Sequence, residues 1–253
     1  MKDKKTIISV KDLVAGYNNM VVLRDISFDV HEGEVFIIAG ESGCGKSTLL
    51  KHMIGLYDVM GGDVFINGKD IIRAQGDELI NIFNGIGVTY QSGALFGSMT
   101  LLENVMLPLE EFTRLPLKAR ELIAAMKLKL VNLEGFEHFL PDQISGGMQK
   151  RAGIARAMAL DPRIIFFDEP SAGLDPITAA ELDQLILYLS RTLGITFVVV
   201  THELESIFTI ADRVIVLDKE KKGIIAQGSP DYLKNECKDE FVRKFFNREI
   251  EIS

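Results

Sequence analysis

Cysteine is scarce in this chain. Cys44 and Cys237 are all there is, too few for a disulfide framework and without the spacing of metal ligands, so a reducing compartment fits. Long apolar runs are lacking too. No stretch approaches the roughly 18 consecutive apolar residues of a membrane span, and the run Ile195 to Val200 is short and β-branched, as suits a buried parallel strand. The start, Met1 to Lys5, is charged and carries no apolar signal core, which predicts a protein that stays on the cytoplasmic side. Positive charge is not in excess: 28 Lys and Arg against 36 Asp and Glu leave a net charge of −8, which argues against a nucleic-acid partner. There is no internal repeat and no low-complexity tract. Of the four histidines, His31, His52 and His138 have no context that assigns them a role.

What is present is an ordinary soluble composition of 253 residues, 47% hydrophobic and 25% charged, enough for one large domain or one domain with an insertion. Thr6 to Val30 reads as strands around a turn at Gly16-Tyr17-Asn18-Asn19. Glu34 to Ala39 is a buried-strand pattern running into a glycine-rich turn and a helix over Lys46 to Ile54. Asp63 to Ile72 reads as a β pair turning at Asn67-Gly68, and a strand follows at Ile86 to Tyr90. The texture then changes. Thr100-Leu101-Leu102-Glu103 is a capping box, Leu122, Ile123, Met126, Leu130 and Leu133 recur at helical spacing after Pro116, and Ser145 caps a helix to about Leu160. Strand and helix alternate again from Ile164, with a helix over Pro176 to Leu193 that stops at Gly194, which predicts a parallel sheet with helices on both faces.

Gly40-Glu41-Ser42-Gly43-Cys44-Gly45-Lys46-Ser47 fits G-x-x-x-x-G-K-[ST] between a strand and a helix. Its glycines let backbone N–H groups turn inward on a β-phosphate, with the helix N-terminus behind them. Lys46 is placed for the β- and γ-phosphates, Ser47 for Mg²⁺ and Thr48 for the α-phosphate. Cys44 lies beside that helix N-terminus, where a depressed thiol pKa is expected and alkylation would block nucleotide binding; a small residue that merely fits is the alternative. Ile164 to Phe167 is an apolar strand ending in Asp168, suited to Mg²⁺, and Glu169, suited to accept a proton from the attacking water. These two motifs alone specify a phosphate-loop NTPase with Mg²⁺, and no more.

Between them, Ile144-Ser145-Gly146-Gly147-Met148-Gln149-Lys150-Arg151 resembles the signature of the ABC ATPases, with Ile144 for the usual leucine and Met148 for the usual glutamine. The resemblance covers nearly the whole chain. It implies that Gln91 is the Q-loop glutamine touching Mg²⁺ and water, that Asp175 is the D-loop aspartate, that His202 is the switch histidine sensing the γ-phosphate, and that Tyr17 stacks on adenine. Blander roles stay open: a strand-end turn for Gln91, a helix cap for Asp175, a loop histidine for His202, a core tyrosine for Tyr17. Ser145, Gly146 and Gly147 offer a hydroxyl and backbone N–H groups at a helix N-terminus; the family implies that they meet the γ-phosphate held by a second copy, so the active unit is a homodimer with two composite sites. The expected fold is an α/β, RecA-like P-loop core with an N-terminal antiparallel β region and an inserted helical subdomain. It is one domain over 1–253: core 1–91 and 161–228, insertion 92–160, tail 229–253.

The small, apolar segment from Gln91 to Thr100, continuing to Leu109, forms one wall of a groove expected to receive a helix from a membrane subunit. With Met148 and Asp175-Pro176-Ile177-Thr178 it is similar to the ATPases of the Mla phospholipid-trafficking and Mce-associated systems. That resemblance implies a peripheral subunit on the cytoplasmic face of the inner membrane. Its partners would be an integral-membrane permease, an Mce-domain protein and, in some systems, a STAS-domain subunit. An importer ATPase for amino acids or other small solutes is the alternative; a soluble ABC ATPase of translation or DNA maintenance is disfavoured, having usually two cassettes or a long coiled coil. The tail, Asp231 to Ser253, is expected to pack on its own domain, with a grip on a partner subunit as the rival role.

Overall fold

Two long strands open the fold, β1 (Thr6–Tyr17) and β2 (Met20–His31). Asn18 and Asn19, at φ 48 and 64, form the two-residue left-handed turn whose twist matches the flanking strands. β1 also pairs antiparallel with β4 (Gly61–Ile66), which turns through Asn67-Gly68 into β5 (Lys69–Asp70). These strands make a four-stranded sheet in the order β2-β1-β4-β5. The computed structural model describes residues 5–91 and 93–248. The charged start before Lys5, Ser92 at the expected opening of the insertion, and residues 249–253 of the tail lie outside the described residues.

The second sheet has six strands: β3 (Val35–Gly40), β6 (Ile86–Thr89), β7 (Ile164–Asp168), β8 (Thr196–Val200), β9 (Arg213–Asp218) and β10 (Gly223–Gly228). Their order is β10-β9-β3-β8-β7-β6. The β10–β9 pair is antiparallel and every other pair is parallel. Every residue of β3 and β8 is buried, which explains their unbroken apolar sequences: a parallel strand has protein on both faces. Alternate side chains feed two cores. Ile38, Val200 and Phe166 face α1 (Lys46–Met53) and the antiparallel sheet, whereas Ile37, Val199 and Ile165 face the helical side.

On that side lie α6 (Pro176–Leu193) and α7 (Leu204–Ile210), and the consecutive helices α3 (Leu101–Phe112), α4 (Leu117–Leu130) and α5 (Gly146–Ala157) that separate β6 from β7. The sequence caps are all made. Thr100 and Glu103 exchange bonds in a full capping box, the Ser145 hydroxyl accepts from Met148 N, and α6 ends at Gly194 with φ 68. α4 forms as its spacing predicts, but Leu122 and Met126 are exposed, and Ala124, Lys127 and Leu128 are the buried side chains. α2 (Gly76–Phe83), α7 and β10 have no counterpart in the sequence pattern. No helix among the described residues is long and apolar enough to cross a membrane.

The tail folds as α8 (Pro230–Asn235) and α9 (Glu240–Asn247) and packs at home, with Leu233, Val242 and Phe246 buried. Phe246 meets Phe208 of α7 edge-on at 5.9 Å, a geometry that adds to the area term. Phe246→Ala is therefore expected to cost about 3 kcal/mol of unfolding free energy, read from the denaturation midpoint. A loss below about 1 kcal/mol would return the tail to an assembly role.

Candidate nucleotide site

The carboxyl ends of β3, β8 and β7 lie side by side, with Ile38 opposite Val200 and Val200 opposite Asp168. That edge is where open parallel sheets hold their ligands. From β3 the chain turns sharply into α1, and two glycines are obligatory there. Gly40 sits at φ 143, and a Cβ on it would lie 2.5 Å from the Leu217 carbonyl oxygen. Gly45 caps α1 at φ 106. A glycine cap has no side chain to bond the first amides, and no acid occupies the first turn. The free N–H groups and the positive end of the helix dipole are thus left for an anion.

Lys46 is 6% exposed and folds back, its Nζ donating to the carbonyls of Gly40 at 2.9 Å and Glu41 at 3.0 Å. Ser47 Oγ donates to Asp168 Oδ1 at 2.7 Å. One hydroxyl and one carboxylate so paired suit Mg²⁺, which takes one or two carboxylates and fills its shell with water and phosphate oxygens. Tyr17 donates its hydroxyl to Thr48 Oγ1 at 3.2 Å, and its ring meets Tyr57 edge-on at 5.1 Å. The loop from Ser42 to Thr48, with Val22 beside it, forms one wall of a cleft of about 250 Å³ that Glu169 and His202 close.

Glu169 is in an unusual position. Its backbone lies at φ 51, a strained conformation for a long side chain, held by its N–H donating to Val200 O at 2.9 Å. His202 Nδ1 donates to its Oε1 at 2.9 Å. Its Oε2 is buried without a hydrogen-bond partner. A buried orphan carboxylate oxygen is costly, and here it sits in a group that lines the phosphate cleft.

The other expected site residues lie elsewhere. Gln91 is exposed just past β6 and is not part of the cleft wall. Ser145 and Gly146 are exposed at the start of α5, with open space around the Gly146 Cα. Gly147 is packed: a Cβ there would meet Thr178 Cγ2 at 2.4 Å. Thr178 Oγ1 in turn donates to Asp175 Oδ2 at 2.6 Å. Asp175 also accepts from the amides of Ile177 and Thr178, and the Thr178 bonds hold its carboxyl below the usual range. The structure therefore makes two clusters, the phosphate cleft and a junction of Gly147 with Asp175.

The expectation for Cys44 is overturned. The thiol is 2% exposed, and burial pushes its pKa up, outweighing the Lys46 charge that lowers it. It is a buried filler against Gly40 rather than a reactive thiolate. Sequence reasoning missed Val22, which reaches the cleft from β2 of the hairpin, and Tyr57, which packs edge-on against the Tyr17 ring. It also missed Asn104, whose side chain is fully buried and builds the Phe96–Thr100 loop by accepting from Phe96 N and donating to the carbonyls of Phe96, Met99 and Thr100. A larger groove, about 800 Å³, runs between α4, α5 and α6 past Leu130 and Tyr188. It has no phosphate-binding loop, and Arg151 and Glu181 in its wall are paired to each other.

Known proteins resemble the chain over most of its length. Residues 23–172 match the family described as ABC transporter. The probable ribonucleotide transport ATP-binding protein mkl of Mycobacterium leprae is 40% identical over 240 residues, 95% of this chain and 68% of the relative. The intermembrane phospholipid transport system ATP-binding protein MlaF of Haemophilus influenzae is 38% identical over 229 residues, 90% of this chain and 86% of the relative. Among solved structures, the dimeric post-hydrolysis state of the ATP-binding cassette MJ0796 bound to ADP and Pi aligns with a TM-score of 0.79 at 33% identity, covering 88% of this chain and 98% of that one. The chain belongs to the ABC transporter family, as an ATP-binding and ATP-hydrolysing subunit.

Proposed function

We propose that this subunit drives phospholipid movement at the inner membrane, bound to the cytoplasmic face of a separate integral-membrane permease and paired with a second copy of itself. The observation that carries the cargo is the match to MlaF, 86% of which is covered against 68% of mkl. The name of mkl points instead to ribonucleotides, and a small-solute permease is the second reading. An Mce-domain protein and a STAS-domain subunit belong to the first.

ATP enters with adenine against Tyr17 and its phosphates on the uncapped N-terminus of α1. Lys46 exchanges its bonds to Gly40 and Glu41 for the β- and γ-phosphates, since a charged acceptor holds an ammonium more strongly than a carbonyl does. Ser47 and Asp168 would hold Mg²⁺, with Gln91 as a further contact, and the ion would supply positive charge to neutralise the phosphates. Glu169, through its free Oε2, takes a proton from water as the water oxygen bonds to the γ-phosphorus and the bond to the β-phosphate oxygen breaks. His202 keeps Glu169 in place and holds the γ-phosphate. Ser145, Gly146 and Gly147 serve the partner copy's nucleotide, and Asp175 fixes their spacing through Thr178. The rate gain is positioning and charge stabilisation.

Purification from native membranes in gentle detergent, with mass spectrometry of proteins and lipids, tests the cargo. A multi-pass permease with an Mce-domain protein and bound phospholipid is the expected result. A solute permease without lipid would overturn the cargo and leave the ATPase chemistry standing.

A further inference from the structure

The helix that begins at Gly146 has a second connection to the hydrolytic site, through a lysine one turn in. Lys150 is 9% exposed. Its Nζ donates to the carbonyl of Pro170 at 2.6 Å and to that of Ala172. Both carbonyls belong to the turn that directly follows Glu169, which closes on itself through Ala172 N to Glu169 O at 3.3 Å and Leu174 N to Ser171 O at 3.1 Å before reaching Asp175. An ammonium in a buried site is costly unless its donors are satisfied. Burial pulls the Lys150 pKa down, and the Glu169 charge acts the other way. An apolar chain would fill the space without that cost, so the charge has a use.

The rest of α5 is tightly engaged. At its far end Arg156 donates to the carbonyls of Gly93 at 3.1 Å and Ala94 at 2.7 Å, in the segment after Gln91. A Cβ on Gly153 would lie 3.0 Å from Gly93 O. One on Gly87 of β6 would lie 2.4 Å from Ala157 O. α5 is thus packed closely against β6 and the 93–94 segment beyond Lys150.

We propose that Lys150 is a positioning residue for Glu169: its two bonds to the 170–172 turn hold the strained backbone of Glu169 and couple the carboxylate to the signature end of α5. The proposal rests on Glu169 being the base. It acts through the turn, without contact to the nucleotide, so its removal lowers turnover and leaves ATP affinity alone. Lys150→Arg keeps both donors, and Lys150→Met keeps the packing without them.

The test uses the full chain with steady-state ATP hydrolysis, thermal unfolding and hydrogen exchange of the amides over 169–175, with Glu169→Gln alongside. The expected result is a kcat about tenfold lower in Lys150→Met with KM for ATP within about twofold, as a misplaced catalytic group requires. Lys150→Arg restores kcat, and the 172–174 amides exchange faster only in the Met variant. A Lys150→Met kcat within twofold of wild type, or a loss that raises KM, tracks a lower Tm and is not restored by Arg, overturns the proposal. If Glu169→Gln abolishes turnover while Lys150→Met does not, this proposal alone falls. If Glu169→Gln keeps turnover, the base assignment falls, and unchanged exchange over 172–174 in Lys150→Met would remove the ordering role as well.

Discussion

Replacing Glu169 by Gln is expected to cut ATP turnover by roughly 10²–10⁴ while ATP affinity stays within about twofold. The amide has the size of the carboxylate and can still bond His202 across the 2.9 Å contact at Oε1. It cannot take a proton at the second oxygen, which in the wild-type chain is buried with no protein partner. The left-handed backbone at φ 51 is no harder for Gln than for Glu, so the fold is not at stake. Phosphate release gives the rate, and titration with a fluorescent nucleotide gives the affinity. Turnover within about twofold of wild type would remove Glu169 as the base.

Asp183→Asn is expected to stabilise the protein at neutral pH. Asp183 lies on α6 facing α7, 4% exposed; burial pushes its pKa up to about 6, the Glu203 charge adds to the rise, and a bond from Ser206 opposes it. One carboxylate oxygen has no partner. The direction of the effect follows from proton linkage. Unfolded Asp titrates near 3.9, so between about pH 4 and 6 the native state holds a proton that the unfolded chain has released. Stability therefore falls as pH rises through that window, and the full penalty, up to about 3 kcal/mol, is present above it. Asn carries no charge and can still bond Ser206. The variant's advantage should be about 2–3 kcal/mol at pH 8, roughly half that at pH 5, and gone near pH 4. Guanidinium unfolding across that range reads it. A variant less stable than wild type at pH 8 would mean that α6 and α7 hold a stabilised carboxylate there.

The cleft was legible because its parts are local. A glycine at a left-handed position, a lysine one residue on, or a carboxylate at the end of an apolar strand is dictated by backbone sterics and charge, and each can be read without the fold. The Asn18-Asn19 and Asn67-Gly68 turns and the caps at Thr100, Ser145 and Asp175 were legible for the same reason. What depended on tertiary packing was not. α7 is seven residues long with no side-chain cap, and α2 buries only Ile82, so neither shows a sustained period. β10 is a half-buried edge strand without alternation. On α4 the apolar spacing marks the helix, yet small Ala124 and the stem of Lys127 make up much of the buried face. The thiol of Cys44 misled because proximity to a helix N-terminus is visible in sequence, whereas burial against Gly40 is not.

The strand order has a consequence for the chain as a folding unit. Ser47 and Asp168 bond each other across 121 positions, because β3 and β7 flank β8 in the sheet. No contiguous fragment shorter than that span contains the site, and closing so long a loop is part of forming it. Nucleotide occupancy and global folding are thereby one linked equilibrium. At a hundred times its dissociation constant, ATP adds about 2.7 kcal/mol to the native state, comparable to a buried core side chain. A cell that runs short of ATP weakens the architecture of this motor as well as starving it of fuel.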